Sequence, residues 1–307
     1  MAQSRSDSLK MRARMILGSD EAAALIFCLP AMALLAVFVL WPFFYGFWLS
    51  FHRWDGFGTR AWVGLANYIR LAGDPLFMTS LRNSVVFVIG AVLLKNVLGL
   101  LVAILLNSVW VGRGFFRTAT FIPVTLSFVA VGLLWSWIYN PLFGLLNAFL
   151  KLVGLGAWQQ NWLGNPDIAL YAVIAVDVWK WLGLHAVLYL AGLQALPRDV
   201  LEAAEVDGAT RLQRLVRVTL PLLAPVIFIN VILSLSGAFV RNYDVVYVLT
   251  QGGPYHATEV VMTNMITEAF RNGALTYATS MGYAIFLLTA IVSGAVLVWA
   301  RRWRFDV

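Results

Sequence analysis

Six apolar runs, each long enough to cross a bilayer, constrain this chain more than any other feature. They cover approximately Ala22 to Trp48, Val85 to Asn107, Ala119 to Tyr139, Ile168 to Leu193, Pro221 to Val240 and Thr279 to Ala300. A span needs about 20 predominantly apolar residues, and lipid offers the backbone no hydrogen bonds, so each run must satisfy its own N–H and C=O groups as a helix. The predicted fold is an all-α polytopic membrane protein with six transmembrane helices. Composition agrees, since 61% of the 307 residues are hydrophobic and 12% charged, against roughly 25% charged in soluble chains. The first run follows Arg12 and Arg14 as a signal peptide would, but it is too long and continues through Trp41, Phe43, Phe44 and Tyr45 without a small-residue cleavage pattern. It is predicted to remain as a helix.

The net charge of +7 would suggest a nucleic-acid partner in a soluble chain; here it fits basic residues held at the cytoplasmic face. With both termini inside, the inner segments carry thirteen Lys and Arg and the outer ones seven, with Lys95 and Lys180 inside spans. Four arginines in the first outer loop, Arg53, Arg60, Arg70 and Arg82, run against that bias. This orientation gives a cytoplasmic tail at 1–21, a six-helix domain at 22–300, a second cytoplasmic tail at 301–307 and a cytoplasmic segment from Pro197 to Leu220. Cys28, the one cysteine, is expected to pack as a small apolar residue.

The longest charged island between two apolar runs is Glu202 to Pro225, EAAEVDGATRLQRLVRVTLPLLAP. Its apolar residues, Ala203, Ala204, Val206, Ala209, Leu212, Leu215 and Val218, fall near helical spacing with a break at Gly208, which predicts two short amphipathic helices joined at a glycine. Such an element lies on the protein's own helix ends or fits a groove on a partner. On pattern alone it is equally a solvated loop helix.

Polar residues inside the spans are the other candidates, because an ionisable group in lipid is costly and must face protein or water. Lys95 in the second run is expected to snorkel or to pair within the bundle. Asp177 and Lys180 in the fourth run are three residues apart, which allows a pair on one helix face. That pair is either a salt bridge fixing the bundle or part of a polar site with Trp179 and Trp181. His185 has no HExxH spacing and is expected to be a packed polar residue. In the fifth run Asn230, Ser234, Ser236 and Asn242 supply hydrogen-bonding groups, at least one serine bonding its own helix, and Gly237 is expected to permit close helix approach. Outside the spans, Phe51 to Asn83 predicts a short external helix or lid, Asn140 and Pro141 stop the third helix, and Gly252, Gly253 and Pro254 predict a tight turn before an amphipathic stretch to Arg271.

None of the four lysines follows a glycine, so the chain has no GxxxxGK[ST] phosphate loop and is not expected to bind ATP that way. A membrane enzyme built on Asp177 and His185 would need a paired carboxylate, a GxSxG serine or HExxH ligands, and none occurs. A secondary carrier or channel for a polar solute remains an alternative.

Glu202, Ala203, Ala204, then Asp207, Gly208, Ala209, and finally Leu220 and Pro221 together resemble the EAA loop of ATP-binding cassette (ABC) importer permeases. Leu215 stands where that family usually has an aromatic, so an apolar anchor is kept. WVGLANYIRLAGDPLF, GRGFFRTATFIP, NPLFGLLN, VWKWLGLHAVLYLAGLQALP and YDVVYVLTQGGP are similar to segments of the carbohydrate-uptake subfamily, the group of the maltose and glycerol-phosphate permeases. The resemblance implies a type I ABC importer permease fold and a non-enzymatic subunit that forms half of a pathway for a sugar or polyol. Its implied partners are a homologous second permease, two copies of a cytoplasmic ATPase that bind the ATP and Mg, and an extracytoplasmic solute-binding protein, in a bacterial-type inner membrane. This chain itself would hold no cofactor, metal or nucleic acid. By motif position Glu202, Ala203, Ala204, Asp207, Gly208 and Ala209 would contact the ATPase, and Asp177, Lys180, Trp181, Phe239 and Asn242 would lie on the substrate pathway. Asp177 stands where the maltose permease has an amide; a carboxylate there suits hydroxyl-rich or cationic solutes and repels phosphate unless Lys180 neutralises it.

Overall fold

A computed structural model describes residues 20–108 and 112–302. The basic tail bearing Arg5, Lys10, Arg12 and Arg14 and the end of the chain from 303, with Arg304, lie outside the described residues, as do the side chains of Trp299 and Arg301.

The first run is a helix, α1, made of Asp20–Leu35, a π-helical turn Ala36–Leu40, and Trp41–Leu49. The wide turn has a cause in the sequence. Pro42 follows it directly and has neither an N–H to donate nor room for an α-helical carbonyl beneath its ring, and the Trp41 N–H bonds back five residues to Ala36. Every side chain from Ile26 to Phe44 is exposed, so Cys28 lies on an open face and not in a packed interior as the sequence suggested.

A two-residue hairpin, β1 (His52–Arg53) against β2 (Ala61–Trp62), and the short helix α2 (Ala66–Gly73) form the loop after α1. Asn67 ties them together by donating to the Ser50 and His52 carbonyls. Helix α3 then runs over Pro75–Ser108, 34 residues or about 51 Å, starting ten residues before the apolar run does. Asp74 caps it by accepting from the Leu76 and Phe77 amides. Burial pushes this carboxyl up, but hydrogen bonds from Tyr277 and the two amides, with Arg70 nearby, outweigh it and hold Asp74 below the ordinary carboxylate value. The early polar turns of α3 serve the distant loop at 256–261. Asn83 donates to the carbonyls of Ala257 and Glu259, and Ser84 accepts from the Val261 amide.

The third run is not one helix. α4 (Arg113–Thr125) and α5 (Phe128–Ile138) meet at 103°, because Leu126 and Ser127 are extended and the Ser127 hydroxyl caps α5 from the Ala130 amide. After α6 (Leu145–Leu152) comes α7 (Ala169–Ala195), followed by α8 (Arg198–Val206). α9 begins as Arg211–Arg214, widens into a π turn at Leu215–Thr219 and ends as Leu220–Leu222. A 69° bend at Leu223 separates it from α10 (Ala224–Val240), so Pro221 lies before the bend, on a different helical segment from the rest of the fifth run. The short helices α11 (Asn242–Leu249) and α12 (Val261–Phe270) lead to the long α13 (Leu275–Arg302). Among the described residues four helices are long and apolar enough to span, and six spans result when each bent pair counts as one.

The centre is the α3–α7 pair, with α10 beside it and α4 across it. Phe87, Ala91, Val173 and Val176 fill one core with α11 and α13, and Ala103, Tyr189, Leu190 and Leu223 fill a smaller one toward α8. α4 reaches α7 backbone to backbone at Gly183, where a Cβ would fall 2.2 Å from the Thr120 oxygen.

Candidate functional site

Two places combine chemistry with unusual local structure. The first is the exposed element from α8 through α9. α8 ends in two overlapping hydrogen bonds, Ala209 N–H to Ala204 and Gly208 N–H to Glu205, with Gly208 at φ +79°. This is the Schellman pattern, which needs a left-handed residue after the helix. The next helix starts on a capping box. The Thr210 hydroxyl accepts from the Gln213 amide while the Gln213 side chain accepts from the Thr210 amide. A stop and a start thus flank the glycine, and a Glu205–Arg214 ion pair of 2.7 Å links the two helices, a surface contact worth about 1 kcal/mol at most.

α8 buries none of its residues. Val200, Ala203, Val206 and Asp207 lie open, with Val206 at 88% exposure. Leu201, Glu202 and Glu205 line a cavity of about 750 Å³ between this element and the C-terminal ends of α3 and α7. The sequence-predicted set is therefore brought together on one short stretch: Ala203, Asp207 and Gly208 open to solvent, Ala204 and Ala209 partly covered, and Glu202 at the cavity edge.

The second place is a polar seam inside the bundle. Asp177 pairs with Lys95 at 2.5 Å, both side chains 3% exposed. The pairing of Asp177 with Lys180 that their spacing allowed does not form. The Lys180 ammonium instead donates to the carbonyls of Pro123, Val124 and Leu126, at 3.3, 3.4 and 2.5 Å. These carbonyls lie at and just past the end of α4, where only Pro123's also accepts a backbone amide, from Leu126, so a cation from α7 sits at the negative end of that helix and holds the 103° break closed. Lys180→Met is expected to lower the stability of the folded chain by about 1–3 kcal/mol, the usual cost of buried polar groups left unpaired, read as an earlier thermal transition in detergent. An unshifted transition would mean the carbonyls find water instead.

The seam continues toward α8. Tyr189 donates to the Asn96 oxygen, Asn96 donates to Ser234, and His185 Nδ1 lies 2.9 Å from the Asn230 oxygen. Because Asn230 uses its amide N–H on the Val226 carbonyl, its oxygen faces the ring, and His185 Nδ1 is the donor. His185 is thus packed as the sequence suggested, and Ser234 bonds its own helix at Val231.

Above the seam is a cavity of about 180 Å³ lined by Lys95, Trp181, His185, Ser236, Gly237 and Arg241, with Leu184, Leu233, Ser234 and Val240. Of the five pathway residues named from the sequence, the cavity includes Trp181. Phe239 packs in the core, and Asn242 is buried with an oxygen that finds no hydrogen-bond partner. Gly237 has open space where a Cβ would be, so it contributes room and not a close helix contact. Arg241, Ser236 and His185 were missed as a group. The signal was present, since 233, 237 and 240 on one helix and 181 and 184 on another repeat at three to four residues and share a face.

Comparison with known proteins gives a consistent result. The chain is 37% identical over 279 residues to the trehalose/maltose transport system permease protein MalF of Thermococcus litoralis, covering 90% of this chain and 92% of that protein. It is 35% identical over 271 residues to the probable ABC transporter permease protein YurN of Bacillus subtilis, covering 87% and 92%. It is 31% identical over 265 residues to the sn-glycerol-3-phosphate transport system permease protein UgpA of Agrobacterium fabrum, covering 86% and 89%. The fold matches a chain from the crystal structure of a bacterial ABC transporter involved in the import of the acidic polysaccharide alginate, with a TM-score of 0.81 at 22% identity over 95% of this chain and 99% of that one. The profile of the "Binding-protein-dependent transport system inner membrane component" family matches residues 95–304, and the chain belongs to that family.

Proposed function

We propose that this chain is a permease subunit of an ATP-driven carbohydrate importer, forming half of the translocation pathway for a sugar or polyol. The observation that carries the coupling is the α8–α9 element, an exposed apolar face on a short helix closed by a Schellman glycine and followed at once by a capped second helix. Small residues at Ala203, Ala204 and Ala209 let a partner's backbone come near, Glu202 offers a charge for a basic group, and Gly208 sets the angle between the helices. In this reading Glu202, Ala203, Ala204, Asp207, Gly208 and Ala209 seat in a cleft of a cytoplasmic ATPase present in two copies, which binds the ATP and Mg. A homologous permease supplies the other half of the pathway, and an extracytoplasmic solute-binding protein delivers the cargo. Both termini are cytoplasmic, so residues 1–21 and 301–307 are inner tails and the domain between them carries the pathway. The named relatives that handle maltose, trehalose and glycerol phosphate support a carbohydrate-type cargo.

Among the pathway residues, Trp181 faces the cavity, while Asp177, Lys180, Phe239 and Asn242 hold the helices that wall it. The test of coupling is ATP-dependent uptake by the reconstituted complex. Gly208→Val and Glu202→Lys are each expected to abolish uptake, at least ~100-fold, with the chain still inserted in the membrane. A side chain at φ +79° costs about 1–2 kcal/mol locally, too little to unfold the chain but enough to turn the two helices apart. Full transport by either variant would sink the coupling role.

A further inference from the structure

The charge of the bundle cavity is opposite to what its carboxylate suggests. Asp177 is spent on Lys95, so that pair is close to neutral and contributes no free anion to the wall. The charge left facing the cavity is Arg241 at the outer end of α10. Its guanidinium lies over the Trp181 ring, 5.0 Å from the centroid, and among the described residues it has no carboxylate within ion-pair distance. Asp244, one turn further on, lies close enough for Arg241 to oppose the upward push of burial on its carboxyl, without pairing. Contact with the ring leaves the guanidinium N–H groups free of any carboxylate, and arginine binds planar anions through two parallel bonds.

The rest of the wall suits a sugar. Trp181 is half-buried and lines the space, an apolar platform that already carries the Arg241 guanidinium and the Lys180 ammonium, 5.0 and 5.3 Å from its ring centroid, and a sugar packs against the part of it left uncovered. Ser236 is exposed and lines the space. His185 uses Nδ1–H on Asn230, which leaves Nε2 as an acceptor for a hydroxyl. A space of about 180 Å³ holds a group on the scale of one sugar ring.

We propose that this cavity is a subsite for a sugar unit bearing one carboxylate or phosphate, with Arg241 as the specificity-determining residue and Trp181 as the platform. The proposal rests on the importer reading in treating the ligand as cargo. It reverses the expectation that Asp177 favours neutral or cationic solutes, because Lys95, and not Lys180, neutralises that carboxylate.

The test is equilibrium binding to the purified permease–ATPase complex in lipid nanodiscs without the solute-binding protein, using three radiolabelled probes: a neutral disaccharide, the same disaccharide with one uronate ring, and a hexose phosphate. The wild-type complex is expected to bind one anionic probe at least ~10-fold more tightly than the neutral one. Arg241→Gln is expected to weaken the anionic probe by ~10–100-fold, as for one charge-assisted hydrogen-bonded group, and the neutral probe by less than ~3-fold. Trp181→Leu is expected to weaken both. The uronate and phosphate arms decide which anion is carried. Equal affinity for neutral and anionic probes overturns the proposal, as does an Arg241→Gln effect of the same size on both, which is the behaviour of an arginine that only anchors the helix at the membrane interface. ATP-dependent uptake of any sugar with no anionic preference in binding leaves the importer standing and removes the subsite. Absence of ATP-dependent uptake of every probe removes the importer reading itself.

Discussion

Asp177→Leu is expected to remove most of the folded permease from the membrane, and the double change Lys95→Met with Asp177→Leu is expected to restore it. The pair is 2.5 Å apart with each side chain 3% exposed. Taking away one member leaves a buried charge without a partner, at a cost of about 3–5 kcal/mol, whereas exchanging both for apolar residues of similar volume is often close to neutral. A marginal fold tolerates the second change and not the first. Detergent-soluble yield and the thermal transition of the two single variants and the double variant form a complete cycle. Equal loss in all three would mean that the pair is not the unit of stability and that each residue acts through other contacts.

Gly183→Ala is the second large effect, with Gly237→Ala as its contrast. The added Cβ at 183 falls 2.2 Å from the Thr120 oxygen, 2.8 Å from its carbonyl carbon and 2.9 Å from the Phe121 Cα. All three are backbone atoms of α4, so no rotamer change relieves the clash and α4 must lift from α7. Overpacking costs about 1–3 kcal/mol where side chains can shift, and more here. The lift also draws the α4 carbonyls away from the Lys180 ammonium, so the loss compounds that of Lys180→Met and the two are expected to be non-additive. At Gly237 nothing lies within 4 Å, and alanine there is expected to change stability by less than about 0.5 kcal/mol. The measured quantity is the thermal transition of each variant; a larger drop at 237 than at 183 would reverse the packing argument.

That contrast shows what could be read in advance and what could not. The apolar runs fixed the class of fold because lipid leaves the backbone only one way to satisfy itself, and the EAA stretch could be placed as two helices because glycine, threonine and glutamine act on near neighbours. Gly237 and Gly183 look alike as letters in apolar helices; which of them meets another backbone depends on where α4 crosses, and that crossing depends on the break at Leu126. The break was invisible for a related reason. TFIPVTLSFVAVG is interrupted only by Pro123 and by the small hydroxyl residues Thr120, Thr125 and Ser127, and hydropathy does not distinguish a straight helix from one folded back on a seryl cap. The spacing of Asp177 and Lys180 allows a pair, but each finds a better partner from a distant segment, Lys95 on α3 and the carbonyl end of α4. Neither choice can be made from one helix considered alone.

The π turn between α8 and α10 bears on how much chain is allowed there. The Leu220 N–H reaches back five residues to Leu215, and Pro221 follows, so the segment contains one residue more than an α-helix covering the same rise. The surplus residue and the proline answer one another. Without the surplus, the pyrrolidine ring presses on a carbonyl; without the proline, an amide hydrogen has nowhere regular to go. The same correspondence occurs at Pro42 in α1. Chain length before these two prolines is therefore part of the helical register, and an insertion or deletion there is a change in the direction in which every later side chain of the helix faces.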